Sequence, residues 1–223
     1  MRRYALLLAT VAIAALMIWA GHRAHLAMLR VHREFPPPAA SALAPPDLEA
    51  GLATPIPEQL PAFSLKDRDG HATPISKWRG KSLIINFWAT WCAPCRREMP
   101  LLQTLDRDWA SQDFRVIGIA VDQHDSVVAF ADSLGVGYPL LIGEEDALDV
   151  AAKLGVTSPA FPFTVFTDLH GQIVALYLGE LHKEQTDLIL SVVSQVNRHA
   201  VALDEARQRI ADGLAKLKAA TSV

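Results

Sequence analysis

The stretch Leu83-Ile84-Ile85-Asn86-Phe87-Trp88-Ala89-Thr90-Trp91-Cys92-Ala93-Pro94-Cys95 joins an apolar run, a turn and the only two cysteines of a 223-residue chain. Residues 82–87 are apolar over a length too short for a core helix, which predicts a buried strand. Residues 96–109 repeat apolar side chains at Met99, Leu101, Leu102, Leu105 and Trp109, which predicts a helix. Pro100 inside it predicts a kink, because proline removes one internal donor. The cysteine pair therefore falls where a strand hands over to a helix. There Cys92 meets unpaired backbone donors and the positive end of the helix dipole, both of which favour a thiolate. Cys95, one turn further on, is close enough to attack a mixed disulfide formed on Cys92. Pro94 stiffens the segment between them, and Ala93 adds neither charge nor bulk. The plain alternative is two buried structural cysteines.

Composition narrows the use of that pair. Two cysteines are too few for a disulfide-built scaffold, and a chain of this length does not need one. A structural zinc site takes four ligands; no second Cys pair exists, and the eight histidines lack a finger-like arrangement. Redox use follows, with no cofactor or metal expected. A formal charge of -3 gives no reason to expect nucleic acid as a partner.

Working outward toward the N-terminus, residues 57–61 open a domain in which 62–65 suggest a strand and Asp67-Arg68-Asp69-Gly70 a turn. Thr73-Pro74 has the form of a helix cap with proline at the first helical position, opening a short helix through Trp78 that Gly80 ends. Residues 31–61 hold eight of the 14 prolines, so 31–56 reads as a partly extended tether, with a docked proline-rich arm as the alternative. Met1-Arg2-Arg3 precedes about 17 apolar residues (5–21), which as a helix span roughly 25 Å. Trp19 suits an interfacial position, and Arg2 and Arg3 favour a cytoplasmic N-terminus; His22, Arg23 and Arg30 weaken that bias. Residues 1–30 are accordingly expected to be an uncleaved membrane anchor. A cleaved signal peptide and a buried soluble helix are the alternatives.

Toward the C-terminus, strands are expected at 114–121, 138–142, 163–166 and 173–178, with Asp168-Leu169-His170-Gly171 as a hairpin turn. Helices are expected at 126–134, at 144–154 with Gly155 as C-cap, and at 183–196. Strands alternating with helices and then a hairpin and a helix call for an α/β fold, a mixed sheet covered on both faces. In residues 197–223, Leu203, Ala206, Ile210, Leu214 and Leu217 form one stripe. It describes an extra helix packed on its own domain; a coiled-coil or partner helix and a membrane-surface helix are the alternatives.

At residues 86–96 the chain resembles the thioredoxin superfamily, and most of all its membrane-anchored, exported branch typified by TlpA, ResA and CcmG/DsbE. The similarity covers roughly residues 57–196. It implies a thioredoxin fold with an N-terminal extension and an inserted αβ element. It also implies Cys92 as the nucleophile of a redox-active disulfide and Cys95 as its resolving partner. Trp88, Trp91, Ala93, Pro94, Phe161 and Pro162 match a substrate groove, Pro162 matching the cis-proline that faces the disulfide; Pro159 is a rival for that role. Asn86 stands where classical thioredoxins have a buried aspartate, and an amide is no base. Glu98 matches an acidic residue placed to take the Cys95 proton, or it is only a favourable charge in the first helical turns. Phe161 and Phe163 depart from the family pattern and make the groove more aromatic, unless they only fill the core.

The resemblance implies an exported, membrane-tethered thiol-disulfide oxidoreductase with its catalytic domain in the periplasm of a bacterial inner membrane. After cleavage it would instead be soluble in the periplasm. Its implied role is to reduce disulfides of partners such as apocytochrome c or metal-site assembly proteins. Electrons would come from a membrane donor of the DsbD/CcdA type. A periplasmic thiol oxidase or isomerase is the alternative within the enzyme class; a copper-binding assembly module holding the metal through two soft thiolates is the alternative outside it.

Overall fold

The site is held by a seven-stranded mixed sheet ordered β2-β1-β5-β4-β3-β6-β7, seen in a computed structural model that describes residues 56–221. In chain order the elements are β1 (Ser64–Asp67), β2 (Ala72–Pro74), β3 (Ser82–Trp88), α1 (Ala93–Asp108), β4 (Phe114–Val121) and α2 (His124–Ser133). They continue with β5 (Leu140–Gly143), α3 (Glu145–Lys153), β6 (Phe163–Thr167), β7 (Ile173–Leu178), α4 (Lys183–Asn197) and α5 (Leu203–Thr221). Strands β3, β4 and β5 run parallel; β6 is antiparallel to β3, and β7 to β6. The expected mixed α/β sheet with helices is what the chain forms. The anchor and tether readings lie outside the described residues, among which no helix is long and apolar enough to cross a membrane.

Strand alternation sorts the central side chains into two layers. Ile84 and Trp88 of β3, with Val116 and Ala120 of β4, join Met99, Leu102 and Leu105 of α1 and Ile189, Leu190 and Val193 of α4. Leu83, Ile85 and Phe87 face the other way, with Ile117, Ile119, Val165 and Val150 of α3. Every residue of β3 is buried, as expected of a strand at the centre of a covered sheet.

Three local expectations need correction. The first strand lies at Ser64–Asp67, two residues later than 62–65. Thr73-Pro74 does not cap a helix: Ala72–Pro74 is a strand paired with β1, and the expected helix is a single 3₁₀ turn, Ile75–Trp78. The reason is Asp67, whose Oδ2 accepts the Thr73 hydroxyl at 2.9 Å while its Oδ1 accepts the N–H groups of Asp69 and His71. That carboxylate organises a hairpin and takes the hydroxyl that would otherwise cap. Third, the helix after the cysteines starts at Ala93, before residue 96, and includes Pro100 within it. Beyond the domain's last expected helix, α5 lays its apolar stripe inward: Ala206 and Ile210 are buried, and Arg207 donates Nε and Nη2 to the Ile173 carbonyl of β7.

Candidate active site

Cys92 is the N-cap of α1, with Pro94 in the first helical turn. Its sulfur accepts the Cys95 N–H at 3.3 Å, so one of the orphan donors at the helix start points at that sulfur. Cys92 and Cys95 are joined as a disulfide with Cα atoms 5.3 Å apart. Cys95 is fully buried, whereas Cys92 keeps 4% of its surface exposed. That asymmetry suits one sulfur to meet a partner and the other to resolve it. The turn carrying the pair is tied down from β4: Asp122 Oδ2 accepts the Thr90 N–H at 3.2 Å and also the Thr90 hydroxyl. Neither residue stands out in the sequence, because the contact joins the ends of two neighbouring strands.

The buried face of α1 carries Cys95, Glu98, Met99, Leu102 and Leu105, a helical stripe in which one member is a carboxylate. Glu98 is 1% exposed. Asn86 of β3 donates Nδ2 to Glu98 Oε1 at 2.7 Å and to the Thr164 hydroxyl at 3.0 Å, and the Leu181 N–H donates to Glu98 Oε2 at 2.7 Å. Burial pushes the Glu98 carboxyl up from 4.5 to about 7; the Leu181 and Asn86 bonds pull it down, and the nearby Glu180 charge adds to the rise. Asn86 therefore does not replace a buried acid. It orients one that lies on the helix instead. Sheet register explains the arrangement, since Thr164, Asn86 and Gly118 are direct neighbours on β6, β3 and β4. A Cβ on Gly118 would lie 3.0 Å from the Tyr138 ring and 3.1 Å from Trp88 Nε1, so glycine leaves space for both side chains beside Asn86. Burial, then the Glu98 charge, raises the Tyr138 hydroxyl, which stays neutral.

The residues expected to form a groove divide. The Phe161–Pro162 peptide is cis, and the Pro159 peptide is not. Trp91 is 68% exposed, with its ring 6.0 Å from that of Phe161, edge to face. Ala93 is exposed and Pro94 half-buried, while Pro162 is buried. Phe161 also stacks on Phe163, which stacks on Phe87 at 4.3 Å, so Phe163 is core and Phe161 bridges core and surface. Trp88 does not line a groove. It is fully buried on the α1 face of β3, against Phe130 of α2, because alternation places it with Ile84 and Asn86.

Among the described residues, Asp67, Asp69 and His71 are the grouped side chains that could converge on a cation. Asp67 is already engaged in the β1–β2 turn, and the group gives no argument for a metal.

A thioredoxin-type sheet, a Cys-x-x-Cys at a helix N-terminus and a cis-proline after an inserted αβ element define a thiol-disulfide oxidoreductase. Residues 56–178 match the AhpC/TSA family, and the chain belongs to it. The chain is 33% identical over 128 residues to "Thiol-disulfide oxidoreductase ResA" of Geobacillus kaustophilus, covering 57% of this chain and 71% of that protein. It is 34% identical over 134 residues to "Thioredoxin-like protein YneN" of Bacillus subtilis, covering 58% and 75%. Among solved structures it is similar to a thiol:disulfide interchange protein of the thioredoxin family from Chlorobium tepidum TLS. That likeness has a TM-score of 0.55 and 28% identity, and it covers 64% of this chain and 99% of the other.

Proposed function

We propose that this oxidoreductase works as an exported, membrane-tethered reductase of protein disulfides. The observation that carries the chemistry is a buried carboxylate, Glu98, one turn beyond Cys95 on the same inward face of α1. In the reductive direction the Cys92 thiolate attacks a substrate disulfide, one substrate thiolate leaves, and a mixed disulfide forms. Glu98 then takes the Cys95 proton, the Cys95 sulfur attacks Cys92, and the second substrate sulfur leaves as a thiolate that water protonates. Two electrons pass from the cysteine pair to the substrate.

The family resemblance and the Cys-Ala-Pro-Cys sequence support the reducing direction, and the apolar stretch at 5–21 supports export and tethering. Apocytochrome c or exported metal-site assembly proteins are the substrates this reading favours, with a membrane protein of the DsbD/CcdA type returning the electrons. The test is capture in cells. Full-length Cys95→Ser, which can form but not resolve the mixed disulfide, is expected to hold exported cysteine-containing proteins in thiol-sensitive adducts. Wild-type protein sampled by acid trapping is expected to be mainly dithiol. Adducts confined to cytoplasmic proteins, or a wild-type pool held mainly as disulfide, contradict the proposal.

Exposed Trp91, packed edge to face against half-buried Phe161, presents an aromatic surface beside the pair. Trp91→Ala is expected to raise KM for a protein disulfide about tenfold, as loss of an aromatic anchor does. Turnover of a small-molecule disulfide, which cannot span that surface, should stay within about twofold. Steady-state kinetics with the two substrate types reads the difference.

A further inference from the structure

The connection from β7 to α4 is held at three successive residues. The Gly179 N–H donates to the Pro162 carbonyl at 2.9 Å, at a φ of +107° that favours glycine. Glu180 receives the Arg97 guanidinium side-on, with Nε 3.0 Å from Oε1 and 3.1 Å from Oε2 and Nη2 also on Oε2. Leu181, its side chain buried, gives its N–H to Glu98 Oε2 at 2.7 Å. One short segment thus joins the cis-proline, the surface of α1 and the buried carboxylate.

We propose that Arg97 is a positioning residue: by clamping Glu180 it holds the Leu181 N–H on Glu98, and so governs how readily Glu98 takes the Cys95 proton. The inference rests on the reading of Glu98 as that proton's acceptor. Arg97 is 62% exposed and Glu180 18%, and an ion pair so open to water contributes little to stability. What a two-pronged guanidinium supplies is direction, since its planar fork fixes the carboxylate's orientation and with it the next peptide. The Leu181 N–H favours the ionised form of Glu98, the form that accepts a proton in the resolving step.

Groups facing Glu98 come from several elements: Asn86 from β3, Tyr138 ahead of β5, Tyr177 of β7 and Glu180 beyond it, with Cys95 one turn back on the same buried face of its own helix. Both tyrosine hydroxyls are raised, chiefly by burial, and stay neutral, so Glu180 is the charge that acts on Glu98. Arg97 works on it in two ways, by neutralising that charge and by seating the peptide. A charge-balanced double variant separates them.

The experiment follows the Glu98 carboxyl by 13C NMR titration in the disulfide form of the full chain, together with hydrogen exchange at the Leu181 amide. Arg97→Ala is expected to raise the Glu98 midpoint by about half to one pH unit, because the charge and the loosened donor act in the same direction. Arg97→Ala/Glu180→Gln leaves local charge balanced. It is expected to keep a raised midpoint and to speed Leu181 exchange about tenfold. A double variant with wild-type midpoint and wild-type Leu181 exchange reduces Arg97 to a charge effect and overturns the proposal, as does Arg97→Ala with no change at all. The pH profile of single-turnover reduction is read in parallel and should shift with the midpoint. If that profile is unaltered by Glu98→Gln, it is the acceptor reading of Glu98 that fails, and the catalytic consequence of the clamp falls with it.

Discussion

Cys92→Ser is expected to abolish disulfide exchange, lowering turnover by at least about 10³-fold. The one remaining thiol, Cys95, is fully buried, and a serine hydroxyl is not ionised at the pH where a helix-capping thiolate is. Cys95→Ser gives a different result. Its first step survives because Cys92 still sits at the start of α1, but the mixed disulfide persists, so a single burst of one equivalent replaces turnover. Stopped-flow measurement of substrate thiol release distinguishes the two. Equal loss of the first step in both variants would mean that Cys92 is not the preferred point of attack, despite Cys95 being the fully buried member.

Glu98→Gln is the second large effect, and it has two parts. In catalysis, Glu98 accepts a proton only when ionised, so the resolving step should accelerate as pH rises through about 7. The variant should lose that limb and run roughly 10²-fold slower above it, the usual scale of a general base. In stability the sign is opposite. The folded disulfide form binds the Glu98 proton up to about 7, while the unfolded chain releases it near 4.5. Stability contributed by this group is therefore complete below 4.5 and is lost as pH rises to about 7, by on the order of 3 kcal/mol. Glutamine cannot ionise, so that part of the pH dependence should vanish, although its amide cannot satisfy both Asn86 and the Leu181 N–H. Urea midpoints at pH 5 and pH 8 for both proteins provide the check. An equal fall in both would remove Glu98 as its source.

These two residues also mark how much of the site is legible in the sequence. The strand, turn and helix around the cysteines are local, and an apolar run followed by Cys-x-x-Cys announces them. Glu98 falls one turn after Cys95 in the stripe that includes Met99, Leu102 and Leu105, so helical period alone places it inward. What receives it there is a matter of register and distance along the chain. Asn86 meets Thr164 across 78 positions and Arg97 meets Glu180 across 83, and no local pattern encodes either contact. Leu181 contributes through its backbone, which a side-chain pattern does not reveal. Trp88 shows the reverse case: strand alternation puts it inside, yet its place beside an exposed tryptophan in the motif suggests a shared surface. The β1–β2 hairpin was hidden for another reason. Thr73-Pro74 carries a strong cap signal, and one carboxylate seven residues from Pro74 overrides it.

The direction of electron flow is the central claim, and the reduction potential of the Cys92–Cys95 pair at pH 7 tests it most directly. Equilibration of the purified protein against glutathione or dithiothreitol buffers is expected to give a value well below about -200 mV, as a reductant requires. A value near about -120 mV would be that of a strong oxidant and would contradict the account.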